Sequence, residues 1–491
     1  MSNKRRMSGN ETRLVIFDAP MFSNGEIPRE RLADDSGQGV GITRGLLENV
    51  SYLNSIGYGC LGVIPDAFFP KPFSKREELD EAFSQLVIKI VEEFKPEYIA
   101  FSLVYGIVER EICVAVKKTK EAFPHKKIVV GGTHATFSPE ILLKNGADIV
   151  VRGDGESVLE EILGGVPISK IRNIIYKNDD GSIIVNERFF EPSKVLEWPI
   201  SYDNINIGSM NLANINNTVM RVRGCKYNCS FCLGAPMRGQ RVKTASDKRF
   251  ISEVSNLLQI NSEAGLNIPV IVIDDDMFPA GSEKSHIVST LEMIKKDFPS
   301  ANYAGQTRIT GAYGTENKRI LESASNAGVS ALFIGVESGS EVILSEMQKK
   351  FKLSQVREAC RNVVESGIAC IAYWIVGHPG SSWEEEMKSM DFMESLLAEN
   401  LLQDVEIHLY VPIKGTRVFL DPRVRIKIPK EDLPSKYALI TESAPPYDLV
   451  NLSGETVLSS EQLVELRDMA LQRKAKYLGS STDVIDPQLL R

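Results

Sequence analysis

Short apolar runs alternate with longer mixed stretches from the start of the chain. The runs are "RLVIFDAP" from Arg13, "YGCLGVIPDA" from Tyr58, "PEYIAFSLVYG" from Pro96, "KIVVGGTHAT" from Lys127 and "ADIVVRGDGE" from Ala147. The segments between them have helical length, as from Glu109 to Phe123. Continuous apolar strands separated by helices predict a parallel, doubly wound sheet, because helices cover both faces of such strands. Ligands of these sheets sit beyond the carboxyl ends of the strands. Several runs end in Gly, Asp or Ser, which fits a binding edge and equally fits plain turn chemistry.

The pattern then changes. "IRNIIYKNDDGSIIVNERFFEP" holds two β-type runs around Asp179–Asp180–Gly181 and reads as a hairpin. "EWPISYD" reads as an irregular link. A second alternation starts at "NTVMRVRG" and continues through "IPVIVIDDD", "NYAGQTRIT", "ALFIGVESG", "CIAYWIVGHPG" and "DVEIHLYVP". Six βα units predict a partial (β/α)6 TIM-like barrel whose C-terminal strand ends carry the chemistry. "SSEQLVELRDMALQRKAKYL" reads as an amphipathic helix. The expected organisation is α/β: a doubly wound domain over 1–170, a linker with a hairpin over 171–215, the partial barrel over 216–425 and a helical tail over 426–491.

Composition narrows the class. A chain of 491 residues exceeds one ordinary core, which agrees with several domains. The net charge of −8 comes without a long basic run, so nucleic acid is not expected as a partner. No uncharged apolar window of about 18 residues is present, so no membrane span is expected. The polar start "MSNKRRMSGNETR" does not read as a secretory signal. Four of the seven cysteines, Cys60, Cys113, Cys360 and Cys370, are scattered through apolar surroundings and read as reduced core thiols. That usage points to the cytoplasm.

The other three stand together in "RGCKYNCSFC", as Cys225-x3-Cys229-x2-Cys232. A disulfide framework is disfavoured by the composition and the odd count. Zinc would want a fourth Cys or His nearby, and His134 and His286 lie at no finger-like spacing. Iron–sulfur clusters usually take four thiolates, so three would leave one iron open to a small molecule. The triplet directly follows the first predicted barrel strand, at the end where such barrels work.

With that placement the sequence closely resembles the radical S-adenosylmethionine (SAM) superfamily. Its hallmark is the same cysteine spacing with an aromatic residue before the last Cys, here Phe231. The resemblance implies a [4Fe–4S] cluster on Cys225, Cys229 and Cys232. Its open iron would bind SAM, and reductive cleavage would give a 5′-deoxyadenosyl radical. It further implies an external electron donor such as flavodoxin or ferredoxin. "ALFIGVESGSEVILSEMQKK" resembles the family's fourth-strand segment, with Glu337 and Ser338 at the strand end. "YWIVGHPGSSWEEE" resembles the fifth-strand glycine segment, with Val376 and Gly377 near the adenine, and "VPIKGTRVF" resembles the sixth-strand motif. Where the family often has Gly-Gly-Glu, this chain has Asp274–Asp275–Asp276, either facing the site or capping the next helix. Arg308 either pairs with the methionine carboxylate or is a surface arginine.

The first region resembles the cobalamin-binding domain that precedes the barrel in one large subgroup. Gly131 and Gly132 would let the backbone approach a flat macrocycle. The cobalt-ligating Asp-x-His-x-x-Gly pattern is absent, so cobalamin is implied without a histidine ligand, and a vestigial domain stays open. His134 is either a ligand or a loop histidine. The activity implied is cobalamin-dependent methyl transfer to a carbon or phosphorus of a small molecule. The alternatives are a non-methylating dehydratase, deoxygenase or rearrangement enzyme on a polyol or amino sugar, and a cluster or corrin sensor without turnover.

Overall fold

The structure, a computed structural model, describes residues 11–20, 43–69, 73, 75–178, 180–190, 197–208, 218–265, 270–272, 284–428 and 445–478. It divides into two compact units, Met1–Asn216 with Met237–Lys243, and Asn217–Pro236 with Thr244–Arg491.

The first unit is built on eight strands: β1 (Leu14–Asp18), β2 (Cys60–Val63), β3 (Tyr98–Ser102), β4 (Lys127–Gly131), β5 (Ile149–Val151), β6 (Ile174–Lys177), β7 (Ile183–Val185) and β8 (Ile205–Asn206). Their order is β7-β6-β5-β4-β3-β1-β2-β8. The first five and β8 run parallel, as the apolar runs predict, while β6 and β7 are antiparallel. β1 and β2 are buried along their whole length, which is why their sequences show no polar alternation. Phe17 stacks on Phe101 at 5.6 Å between ring centroids, and Phe83 meets Phe101 edge-on at 6.3 Å. The segment read as a linker contributes β6, β7 and β8 to this sheet. A hairpin pattern is local, whereas the edge it joins is chosen by which strand still has unpaired backbone groups.

In the central order β2-β1-β3-β4-β5 the direction of winding reverses between β1 and β3, the position of a ligand crevice in open α/β sheets. There Asp18 and Ser102 stand side by side in register.

The second unit continues with β9 (Thr218–Val219), β10 (Val222–Arg223), β11 (Lys243–Thr244), β12 (Val270–Val272), β13 (Tyr303–Thr307), β14 (Val329–Glu337), β15 (Ala369–Val376) and β16 (Asp404–Leu409). Six of these form one parallel sheet in the order β16-β15-β14-β13-β12-β9. β10 and β11 form a separate pair, and within the six each strand lies beside the next one in the chain, which is the (β/α)6 arrangement predicted. Helices Asp247–Glu263, Lys284–Asp297, Thr315–Asn326, Leu353–Glu365 and Trp383–Ala398 connect them. Ser246 caps the first by accepting from Arg249 N at 3.3 Å, a contact typically worth about 1 kcal/mol.

The tail is not only helical. β17 (Val424–Ile426), β18 (Tyr447–Val450) and β19 (Thr456–Leu458) form a small antiparallel sheet before the helix Ser460–Leu478. Strands of three or four residues carry too few positions to show a period. The helix is held by ion pairs from Arg473 to Asp391 at 2.5 Å and from Lys474 to Asp404 at 2.5 Å.

Candidate active site

Cys225, Cys229 and Cys232 follow β10, close behind the first barrel strand. All three are free thiols; Cys229 is buried, Cys225 half-buried and Cys232 keeps an open face. Cys225 Cβ and Cys232 Sγ both flank Gly234, each 3.6 Å from where a Cβ would stand. The Gly234 amide donates to Cys232 Sγ at 3.4 Å. Arg308, just beyond β13, lies across the Tyr227 ring at 3.4 Å and reaches Cys229 Sγ at 3.8 Å. Its position beside a thiol and an aromatic ring differs from that of a surface arginine. Among the described residues no three His, Cys, Asp or Glu side chains converge closely enough for a single metal ion. A cluster does not ask for that, because each of its irons takes one thiolate. Three clustered thiols with N–H donors aimed at two of the sulfurs fit a cluster.

The protein packed around Cys232 lifts its thiol above the ordinary value by desolvation. The Gly234 amide lowers it, Cys229 raises it, Lys349 lowers it and Glu337 raises it. Glu337 ends β14 with a φ of 72°, in the left-handed region, where a bulge shifts the register between Gly335 and Glu337. Its Oε1 accepts from Lys349 Nζ at 2.8 Å. Phe231 lies edge-on to His378 at 6.4 Å.

Ser338 is fully buried and donates to Ser389 Oγ at 3.1 Å. The same oxygen receives the Gly339 amide and Trp374 Nε1, both at 2.9 Å. The Ser338 hydroxyl is thus committed to ordering the β14 loop against the helix Trp383–Ala398. Val376 is buried at the end of β15, and Gly377 follows with a φ of 83°. A Cβ on Gly377 would stand 2.6 Å from Leu463 Cδ2, so this glycine accommodates the C-terminal helix. Asp274, Asp275 and Asp276 lie outside the described residues.

At the carboxyl edge of the first sheet, Asp18 is 2% exposed. Its Oδ2 accepts from Thr43 N at 2.8 Å and its Oδ1 from Thr43 Oγ1 at 2.9 Å. Burial nevertheless pushes its carboxyl up to about 6, against the lowering contacts of Thr43, Ala19 and Ser102. Tyr105 beside this edge is 52% exposed. Among the described residues a Cβ on Gly131 would meet only Val151, at an ordinary 3.6 Å. Gly132, with a φ of 112°, has a different reason: a Cβ there would stand 2.4 Å from Leu103 O. A large ligand with polar rim groups fits an edge with buried acceptors and an open aromatic. His134 lies on the short helix Thr133–Phe137 rather than in a loop, and it is buried with Nε2 2.6 Å from Glu109 Oε2, which commits its ring inside the fold. His125 is exposed ahead of β4, at the opposite edge.

Sequence reasoning missed Lys349, His378 and Glu386. Lys349 sits within the quoted fourth-strand segment, but its pairing with Glu337 depends on the bulge. His378 follows Gly377 directly. Burial pushes it down to about 4, so it is neutral; Nδ1 donates to Pro379 O at 2.8 Å, and Nε2 meets Ser230 Oγ at 3.0 Å. A histidine beside a glycine turn was the available signal.

Glu386 is 1% exposed and accepts the Gly377 amide at 2.8 Å. Desolvation pushes it up to about 7, although Gly377 and Ser381 lower it. A carboxyl raised in the folded state contributes stability that is full below its unfolded value and lost as pH rises through the folded one. The second unit should therefore lose stability between about pH 5 and pH 8 from this group. Glu386→Gln should flatten that slope, and at pH 8.5 it should be more stable than the parent by up to about 3 kcal/mol. Urea unfolding at pH 5.5 and pH 8.5 measures this. Parallel slopes for the two proteins would show that Glu386 does not titrate there.

Two families match the chain: the B12 binding domain over residues 80–163 and the Radical SAM superfamily over residues 219–393. An uncharacterized methyltransferase of Pyrococcus horikoshii is 26% identical over 348 residues, covering 69% of this chain and 72% of its own. The radical S-adenosylmethionine methyltransferase TsrM from Kitasatospora setae, solved with tryptophan and a SAM analog, shares the fold. Its TM-score is 0.67 at 13% identity, over 97% of this chain and 90% of that one. The cobalamin-dependent S-adenosylmethionine radical enzyme OxsB, solved with aqua-cobalamin, gives 0.62 at 15% identity, over 94% and 62%. The cysteine loop, the parallel barrel and the preceding doubly wound sheet agree with these matches: the chain carries a B12 binding domain ahead of a radical SAM domain.

Proposed function

We propose that the chain is a cobalamin-dependent radical SAM methyltransferase acting on an unactivated carbon, or a phosphorus centre, of a small metabolite. The observation that carries this reading is the pairing of two sites in one chain. A doubly wound sheet gathers buried polar groups at its switch point, and a parallel barrel holds three clustered thiols after its first strand. The methyltransferase name of the Pyrococcus relative supports it. When bound, SAM supplies the hydrogen-abstracting radical and cobalamin supplies the methyl group.

The chain's own residues orient these groups and exclude water. Cys225, Cys229 and Cys232 would hold the cluster, and Phe231, directly before the last of them, lies edge-on to His378. Arg308 steadies the loop through Tyr227 and offers its guanidinium to the methionine carboxylate. Glu337 would face the adenosine side, with Ser338 ordering its loop from the core and the backbone of Val376 and Gly377 bordering the neighbouring strand end, and one of Asp274, Asp275 and Asp276 would hold the methionine amine. Gly131 would let the corrin approach the end of β4, while Gly132 seats the following turn against the Leu103 carbonyl. A flavodoxin- or ferredoxin-type donor in the cytoplasm supplies the electron. No described helix is long and apolar enough to cross a membrane.

A corrin held at this edge would not be ligated by His134, which is tied to Glu109, or by His125, which lies ahead of β4 at the far edge. The test is anaerobic reconstitution of the full chain with iron, sulfide and hydroxocobalamin, followed by methyl-labelled SAM and a chemical reductant. Expected are a bound corrin that carries label, 5′-deoxyadenosine, and a cob(II)alamin resonance without nitrogen superhyperfine splitting. Splitting would contradict the ligation. Formation of 5′-deoxyadenosine by protein that binds no corrin would favour dehydration, deoxygenation or rearrangement instead.

A further inference from the structure

The ion pair between Glu337 and Lys349 is built at a local cost. Both residues are nearly buried, at 7% and 8% exposure. Lys349 Nζ stands 2.8 Å from Glu337 Oε1 and 3.4 Å from Gly335 O. The strand is distorted to admit them. β14 bulges between Gly335 and Glu337, and Glu337 takes a φ of 72° that favours glycine. Gly335 clears the space, since a Cβ there would stand 2.9 Å from Glu337 Oε1 and 3.3 Å from Lys349 Nζ. Buried pairs are poor stabilisers, because desolvation offsets most of their attraction. Apolar residues of the same size would close this strand end with less distortion. Strain of this kind gathers where a function holds it in place.

The pair's surroundings indicate that function. Lys349 Nζ lies 5.6 Å from the centroid of Phe231, the residue directly before Cys232. The Phe351 ring centroid lies 6.0 Å from the same Nζ. The ammonium is therefore held in apolar, weakly screening surroundings beside the last cysteine of the triplet. Charges fixed in such surroundings act over longer distances than they do in water.

We propose that the Glu337–Lys349 pair is a fixed charge bias on the cluster, with Lys349 favouring the reduced state and Glu337 opposing it. This rests on the reading of the triplet as a cluster site. The step it governs is the transfer of one electron from an external low-potential donor. The donor is oxidised, and the cluster gains one negative charge without a change in its ligands. A nearby ammonium stabilises that extra charge and a nearby carboxylate destabilises it. Lys349 acts through its field and touches no reacting atom, so it is a positioning residue.

The test is a potentiometric titration of the reconstituted full chain without SAM, followed by electron paramagnetic resonance of the reduced cluster. Lys349→Met should shift the midpoint to more negative values, and Glu337→Gln to more positive ones. The double variant Glu337→Gln/Lys349→Met should fall between them. It also removes both charges together, so it avoids leaving a carboxylate buried alone if Lys349→Met folds poorly. Lys349→Arg keeps the charge and should stay close to the parent. A purely structural role would move the two single variants in the same direction or not at all, and either result would overturn the proposal. The parent reading fails separately: a wild-type chain that takes up no cluster sinks both. A wild-type cluster with unmoved variants sinks this inference alone.

Discussion

Replacing Cys225, Cys229 and Cys232 together with alanine is expected to abolish cluster assembly, taking bound iron from about four per chain to background. The effect is this large because the described residues offer a cluster no substitute ligands. Among the described residues no other group of His, Cys, Asp or Glu is placed to hold a metal ion. The remaining thiols, Cys60, Cys113, Cys360 and Cys370, are all buried. Burial pushes the Cys113 thiol up to about 12 and lifts Cys60 further, so neither supplies a thiolate readily. Cys370 is raised first by its hydrogen bond with Cys360 and then by desolvation. Replacing these four with alanine or serine should lower the unfolding midpoint while leaving iron per folded molecule unchanged. Iron analysis and the visible charge-transfer band separate the two sets. Full iron retention in the triple alanine variant would end the cluster assignment.

That contrast shows what kind of information the sequence holds. The triplet was legible because its chemistry depends on spacing along one loop, and spacing is a property of the chain. The strands were legible because β1, β3 and β14 are continuous apolar runs closed by Asp18, Ser102 and Glu337. The order β2-β1-β3-β4-β5 was not readable from any one segment, since it is fixed by which helices pack on which face. Side-chain direction at the strand ends was not readable either. Glu337 and Ser338 are adjacent in sequence, yet the bulge sends one to Lys349 while the other turns into the core against Ser389. Gly132 looked like room for a ligand and is room for the Leu103 carbonyl. A glycine in a sequence records a close approach without naming what approaches.

Gly377 raises the same question, and its valine variant should answer it as a loss of stability of about 3 kcal/mol. Two causes add. The residue has a φ of 83°, and an L side chain in the left-handed region costs roughly 1–2 kcal/mol. Its Cβ would also stand 2.6 Å from Leu463 Cδ2, and overpacking a closed core typically costs 1–3 kcal/mol. Leu463 is fully buried on the helix Ser460–Leu478, so it cannot swing into solvent. The side chain therefore points at the C-terminal helix. Urea unfolding should show a lower midpoint with an unchanged slope, the mark of a change in stability alone. Gly377→Val/Leu463→Ala should remove the collision but keep the backbone strain. It would also lose Leu463 packing, so little net stability returns. SAM affinity is the decisive measurement, made on protein held well below its unfolding midpoint. If Gly377 serves mainly to seat the helix, the double variant should bind SAM more tightly than Gly377→Val, because the strand end relaxes back. Equal loss of affinity in both variants, with stability of the single variant unchanged, would mean that the valine meets the ligand and that the helix is a bystander.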